Sequence, residues 1–124
     1  MFLSAFHLGI PTPDISASVR FYESLGFRVI NKEENASIPV VFLQSGNLLI
    51  ESYQPRDGVV NLTGAIDHLC INTKDLEAAY REMKEQGYTF VSEKIEELPY
   101  WSNGIRFFKI YGPSREIVEI CQIL

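Results

Sequence analysis

The first half of this sequence is repeated in its second half. When His7 is aligned with His68, residues that punctuate secondary structure fall into register at the same spacing. The aligned pairs are Asp14 with Asp75, Ile15 with Leu76, Gly26 with Gly87 and Phe27 with Tyr88. A repeat of this length is typical of one supersecondary unit that is present twice. The sequence therefore predicts two modules of the same architecture.

Each copy carries the signals for a strand, a helix and three further strands. Asp14 and Asp75 follow the first apolar stretch and are predicted N-caps, because a short acidic side chain can accept the unpaired N–H groups of a first helical turn. Apolar residues at helical spacing follow, and Gly26 and Gly87 are predicted to end the two helices with positive φ. The predicted later strands are 28–32, 40–43 and 48–53 in the first copy, and 89–94, 105–111 and 116–124 in the second.

These elements predict an α+β fold of two tandem βαβββ modules. The chain has 124 residues, which suits a single domain that spans residues 1–124. Within it the first module is expected at 1–55 and the second at 66–124, with a polar, glycine-containing linker between them. A loop at 96–104 makes the second module longer than the first.

Charge and composition exclude several classes of partner. The net charge is -5 and the basic residues are scattered, so neither a nucleic acid nor an anionic membrane surface is an expected partner. No apolar run approaches the roughly 20 residues that span a bilayer, and the N-terminus lacks the basic segment of a signal peptide. Cys70 and Cys121 lack CxxC spacing and are expected to be reduced, small side chains. We therefore expect a cytoplasmic protein.

Four polar side chains interrupt otherwise apolar strands. His7 and His68 lie on the first predicted strand of each module, and Glu51 and Glu119 lie on the last. Because side chains alternate along a strand, each of the four shares a face with apolar or small neighbours. A carboxylate between apolar neighbours is costly to bury unless it is paired, and one divalent cation would satisfy all four groups. Each residue alone could instead be a hydrogen-bonded or solvent-facing side chain. Because the His–Glu pair recurs, the sequence predicts a metal site with nitrogen and oxygen ligands, which suits Zn, Ni, Co, Fe or Mn.

The segment FHLGIPTPDISASVRFYESLGF, which begins at Phe6, is similar to the first module of a known superfamily. The chain resembles the vicinal oxygen chelate superfamily, which contains glyoxalase I, bleomycin-resistance proteins and extradiol dioxygenases, over nearly its whole length. The resemblance implies a pair of half-barrel modules. It also implies a metal held by His7, Glu51, His68 and Glu119. The turn at 111–115 departs from the Asp-Pro-Asp-Gly that is usual in the superfamily.

The resemblance implies a metal-dependent lyase or isomerase of the glyoxalase I (lactoylglutathione lyase) type. Such an enzyme transfers a proton on a hemithioacetal or α-hydroxycarbonyl compound that chelates the metal through adjacent oxygens. By the same resemblance, Glu119 is the first candidate for the general base and Glu51 is the second. An epimerase of the methylmalonyl-CoA type would use similar chemistry, with Glu33 or Glu34 as a further base. A metal-free protein that binds drugs or other small molecules, as bleomycin-resistance proteins do, is an alternative from a different class.

The expected ligand is a small-molecule substrate. We also expect a homodimer, because a chain this short leaves sheet edges exposed, and the metal site could then form within one chain or between two. Candidate residues of the substrate groove are Tyr53, Tyr100, Trp101, Phe107, Arg20 and Arg106. The alternative for the aromatic residues is ordinary core or loop packing, and for the arginines it is a solvated surface charge.

Overall fold

The computed structural model describes residues 3, 6–33, 36–58, 66, 68–99 and 101–124. It divides the chain into two compact units, Met1–Leu62 (unit 1) and Thr63–Leu124 (unit 2). Within the described residues, each unit consists of a four-stranded sheet and a helix. Among those residues there is also no helix with the length and apolar character that crossing a membrane requires.

Unit 1 has the order βαβββ. Its elements are β1 (Leu8–Pro11), α1 (Ile15–Ser24), β2 (Arg28–Lys32), β3 (Val40–Ser45) and β4 (Leu48–Tyr53). The strands lie in the order β1-β4-β3-β2, so the first strand of the unit is the direct neighbour of the last. The β1–β4 pair is parallel, and the other pairs are antiparallel.

Unit 2 repeats this arrangement. Its elements are β5 (His68–Asn72), α2 (Leu76–Glu85), β6 (Glu96–Leu98), β7 (Ile105–Tyr111) and β8 (Ile117–Ile123). The strand order is β5-β8-β7-β6, and β5 is parallel to β8. The predicted α+β class and the two βαβββ modules are therefore confirmed.

One predicted strand is wrong. Residues 89–94 do not form a strand: Phe90 makes an isolated bridge to Ile110, and the short strand β6 lies within the predicted loop 96–104. From Phe90 to Glu96 the chain advances by six residues. Their partners on β7, Ile110 and Phe107, are only three residues apart. The surplus residues must leave the sheet, which breaks the strand in two.

Both helices begin in the same way. Asp14 accepts a hydrogen bond from the backbone of Ala17 at 3.0 Å, and Asp75 accepts one from Ala78 at 2.9 Å. Two glutamines at the ends of the last strands provide further caps. The Gln54 amide oxygen accepts from Ile15 N at 2.9 Å, and the Gln122 amide oxygen accepts from Leu76 N at 3.2 Å. Each helix start is therefore tied to the strand that carries the unit's glutamate.

The N-cap bonds give a first testable prediction. Replacing Asp75 with Ala is expected to lower the free energy of unfolding by about 1 kcal/mol, because the Ala78 N–H then loses its acceptor. Replacing Asp75 with Asn is the matched control, since an Asn side chain can accept the same bond. Urea unfolding monitored by circular dichroism measures both variants. Equal destabilisation by Ala and Asn would contradict the capping role.

Each unit has its core between the helix and one face of the sheet. In unit 1, Tyr22 of α1 and the paired strand residues Leu43 and Ile50 are fully buried. In unit 2 the corresponding buried residues are Leu76, Phe108, Ile110 and Val118. Because side chains alternate along a strand, the residues next to these point to the sheet face away from the helix. Glu51 and Glu119 lie on that face.

Candidate functional site

Unit 1 brings His7 to Glu51. His7 comes directly before β1, and Glu51 lies on the neighbouring strand β4, with Gly9 as its register partner. His7 Nε2 is 3.6 Å from Glu51 Oε2, and about a third of each side chain is exposed. The His7 ring also meets the ring of Phe42 edge-on, with centroids 5.6 Å apart. Phe42 is the partner of Glu51 on β3.

Unit 2 brings His68 to Glu119 in the same relation. His68 begins β5, and Glu119 lies on β8 with Cys70 as its register partner. His68 Nε2 is 3.8 Å from Glu119 Oε2, and the Glu119 side chain is 11% exposed. The two His–Glu pairs predicted from the sequence are thus each found within one unit. We call them half-site 1 (His7 and Glu51) and half-site 2 (His68 and Glu119).

The separation of the two atoms in each half-site suits a metal better than a direct hydrogen bond. The distances are 3.6 and 3.8 Å, whereas a direct N–H···O bond would be about 2.9 Å. Two ligand atoms that each lie about 2.1 Å from one ion, at a tetrahedral angle, are about 3.4 Å apart. Each half-site therefore offers two donor atoms that fit one cation. Among the described residues, no group of three or more His, Cys, Asp or Glu side chains is placed to hold an ion.

Glu119 has two neighbours besides His68, and sequence reasoning missed one of them, Lys109. Lys109 Nζ is 3.8 Å from Glu119 Oε2, and the Cys70 thiol lies 3.5 Å from Glu119 Oε1. Lys109 is the partner of Glu119 across the antiparallel β7–β8 pair. The predicted turn at 111–115 is centred on Pro113, whereas the β7–β8 register is centred on Ser114, so the sequence alone did not pair Lys109 with Glu119.

Two cysteines lie beside half-site 2. The Cys70 and Cys121 sulfur atoms are 3.1 Å apart, and both cysteines are free thiols. Burial, followed by the hydrogen bond to Cys121, raises the pKa of the Cys70 thiol far above its usual range. Cys70 therefore stays protonated near neutral pH, and a thiol is a poor metal ligand and nucleophile compared with a thiolate.

The two half-sites share a His and a Glu but differ in what surrounds them. At the positions of Cys70 and Lys109, unit 1 has Gly9 and Phe42. A Cβ atom added to Gly9 would lie 3.7 Å from the ring of Tyr53, so this ring borders half-site 1 at an ordinary contact distance from Gly9. Half-site 1 thus has an aromatic environment, whereas half-site 2 has a cation and two thiols.

The predicted groove residues lie in different surroundings. Phe107 is buried with Ile105, Cys121 and Leu98, on the same face of the sheet as Glu119. The Arg106 guanidinium contacts Glu77 of α2 and is 3.9 Å from Glu97, so it belongs to the helix side of the sheet.

The remaining groove candidates are spread over both units. Arg20 is exposed on α1, and Tyr53 is half-buried at the end of β4. Tyr100 and the proposed base Glu34 lie outside the described residues. Glu33 is exposed and accepts a hydrogen bond from the Asn31 amide at 2.7 Å.

Trp101 lies in a loop that borders an open pocket. Trp101 is 71% exposed, and its backbone has a φ of 61°, a left-handed conformation that is uncommon outside glycine. The adjacent cavity has a volume of about 380 Å³. Its lining residues are Glu97, Leu98, Pro99, Trp101, Ser102, Asn103 and Gly104.

Comparisons with known proteins agree with the fold. The chain matches the Glyoxalase/Bleomycin resistance protein/Dioxygenase superfamily over residues 4–120, and it belongs to that superfamily. The protein YwbC of Bacillus subtilis (strain 168) is 33% identical over 122 residues, which is 94% of each chain.

One further relative and one solved structure are less similar in sequence. Mitochondrial methylmalonyl-CoA epimerase from Homo sapiens is 29% identical over 104 residues, and this match spans 73% of the present chain but only 57% of the epimerase. The crystal structure of a glyoxalase family protein from Enterococcus faecalis has a TM-score of 0.77 at 20% identity, and covers 97% of this chain and 98% of that one. At that identity the likeness shows a shared fold.

Proposed function

We propose that this protein is a divalent-metal-dependent lyase or isomerase of the glyoxalase I type, which moves a proton on the carbon next to a substrate carbonyl. One observation carries the proposal: the same pair, a His nitrogen and a Glu oxygen at 3.6 to 3.8 Å, recurs at equivalent positions of both units. A His–Glu ion pair that only stabilises the fold need not occur in both units. A metal site that takes one nitrogen and one oxygen ligand from each module requires the pair in both.

The proposal assigns His7, Glu51, His68 and Glu119 as the ligands of one ion, with Zn, Ni, Co, Fe or Mn as the suitable metals. The chemistry that such an ion supplies when bound is polarisation of a substrate carbonyl oxygen. A carboxylate then accepts the proton from the adjacent carbon and returns it at another position. Glu119 is the first candidate for this base, and Glu51 is the second. Burial among apolar strand residues supports the role of Glu119, because it keeps water away from the proton in transit.

An epimerase acting on an acyl-CoA thioester is the second candidate. It is favoured by the 29% identity to human methylmalonyl-CoA epimerase, a match that leaves part of that enzyme uncovered. The two candidates share the removal of a proton next to a carbonyl and differ in the substrate that carries it. A small-molecule substrate and a homodimeric assembly are part of the proposal, and multi-angle light scattering tests the assembly.

Metal uptake is the second testable prediction. The purified protein is expected to take up a divalent ion, and replacing His7 or His68 with Ala should weaken binding of Zn²⁺ at least about tenfold, because each change removes one ligand. The Glu93→Gln variant is the control, since Glu93 is an exposed ion-paired glutamate outside both half-sites. Isothermal titration of the apoprotein provides the measurement.

The purified protein loaded with metal can also be used to determine the substrate class. Incubation in deuterated water with either a methylglyoxal hemithioacetal or methylmalonyl-CoA, followed by mass spectrometry, reports which compound exchanges its α-hydrogen. A protein that takes up no ion and exchanges neither compound, yet changes its Trp101 fluorescence with an aromatic ligand, would refute the enzyme and favour a binding module. Trp101 is the single tryptophan of the chain, so the signal is unambiguous.

A further inference from the structure

The Glu119 carboxylate already has a cation beside it. Its Oε2 atom is 3.8 Å from Lys109 Nζ and 3.8 Å from His68 Nε2, and its Oε1 atom is 3.5 Å from the Cys70 sulfur. Since Glu119 is 8% exposed, water screens these interactions only weakly. A carboxylate in such a place is costly to leave unpaired, and Lys109 offsets that cost without any metal.

Half-site 1 is built differently at the same position. There the residue across the antiparallel pair from the glutamate is Phe42, an aromatic side chain that also contacts the His7 ring. The Glu51 side chain is more exposed than that of Glu119, 28% against 11%. An arriving cation therefore meets an ammonium group next to Glu119, and a neutral ring next to Glu51.

We propose that Lys109 is an internal counter-ion of Glu119, which a divalent cation has to displace before Glu119 can ligate it. The inference rests on the proposed function, because it assumes that Glu119 is a metal ligand. Its consequence is that the two half-sites do not bind the ion equally: half-site 1 is open to the ion, whereas half-site 2 gives up an ion pair to bind it.

The surroundings of Lys109 allow this displacement. Its side chain is 28% exposed, so the ammonium can reach water after it leaves Glu119. The same ammonium lies 5.6 Å from the centre of the Phe107 ring, a cation–π position that is independent of the carboxylate. Lys109 can therefore lose Glu119 without being left buried and unpaired.

The experiment measures Zn²⁺ affinity of the apoprotein by isothermal titration, with a competing chelator where binding is tight. Replacing Lys109 with Met is expected to strengthen Zn²⁺ binding by about tenfold or more, because the variant retains the side-chain stem and loses the competing charge. Lys84→Met is the matched control. Lys84 also pairs with a glutamate, at 3.5 Å, and also lies over an aromatic ring, but away from the half-site. Its removal should leave the affinity unchanged.

A double-mutant cycle separates this role from a general effect on folding. If Lys109 acts through Glu119, Lys109→Met should give no gain in Zn²⁺ affinity when Glu119 is already Gln. A gain that persists in the Glu119→Gln background would overturn the proposal, as would equal affinities of the Lys109→Met variant and the unmodified protein. Equal affinities of these two proteins would refute the role of Lys109 but not the proposed metal site. Absence of Zn²⁺ binding in all the variants would instead refute the proposed function together with this inference.

Discussion

Replacing Glu119 with Gln is expected to lower the turnover of the exchanging substrate by about 10²- to 10⁴-fold, which is the usual contribution of a general base. The amide has nearly the shape of the carboxylate but cannot accept the proton, and it is also a weaker ligand. Steady-state rates at saturating metal measure the loss. Circular dichroism should show an unchanged fold, because Gln can keep an acceptor toward Cys70 and Lys109.

Two further variants are measured beside Glu119→Gln. Glu93→Gln removes a carboxylate from another Lys–Glu pair of the same unit and should leave the rate unchanged. Glu51→Gln tests the second candidate for the base. Full activity of the Glu119→Gln variant, with a severe loss in Glu51→Gln, would move the base to half-site 1. Full activity in both would remove proton transfer by these carboxylates from the proposal.

Replacing Phe108 with Ala is expected to destabilise unit 2 by about 3–5 kcal/mol, the range for deleting a buried aromatic ring from a packed core. Phe108 is 1% exposed, and its ring lies 5.2 Å from that of Tyr80 and 5.4 Å from that of Phe90. Its loss would leave a cavity between α2 and the sheet and remove two aromatic contacts. Urea unfolding, analysed by the linear dependence of the unfolding free energy on urea, gives the value.

The control for this prediction is Trp101→Ala, which deletes a larger ring that is 71% exposed. Its effect on the unfolding free energy should be within about 0.5 kcal/mol. A loss below 1 kcal/mol for Phe108→Ala would mean that the cluster of Phe108, Tyr80 and Phe90 repacks around the gap.

The repeat made most of the architecture predictable from sequence. Caps and helix ends depend on single residues with a local role, so Asp14, Asp75, Gly26 and Gly87 marked both helices correctly. Strands bounded by tight turns were also predicted well, and β2, β4 and β7 have the predicted bounds.

The errors arose where non-local pairing decides the structure. Residues 89–94 begin with three residue types that favour strands, but Phe90 is held by the aromatic cluster and the chain then leaves the sheet before β6. No local pattern encodes that surplus of residues, because it depends on where β6 pairs with β7.

The candidate site was predicted in type but not in its surroundings. Strand alternation was enough to place each His and each Glu on one face, and both pairs are found. Lys109 was overlooked because a lysine in a strand commonly faces water, and only the register about the turn at Ser114 directs it to Glu119. The Cys70–Cys121 contact depends on the stagger of a parallel pair, which the sequence does not reveal.

In each unit the first strand pairs with the last, β1 with β4 and β5 with β8. Of all the contacts in a unit, this pairing closes the longest loop of chain, so it carries the greatest entropic penalty during folding and depends on the intervening strands being in place. The imidazole and the carboxylate of a half-site meet only across that closure. An intermediate in which the first and last strands of a unit have not yet paired therefore cannot hold a cation through both groups, and cation uptake becomes a reporter of complete folding.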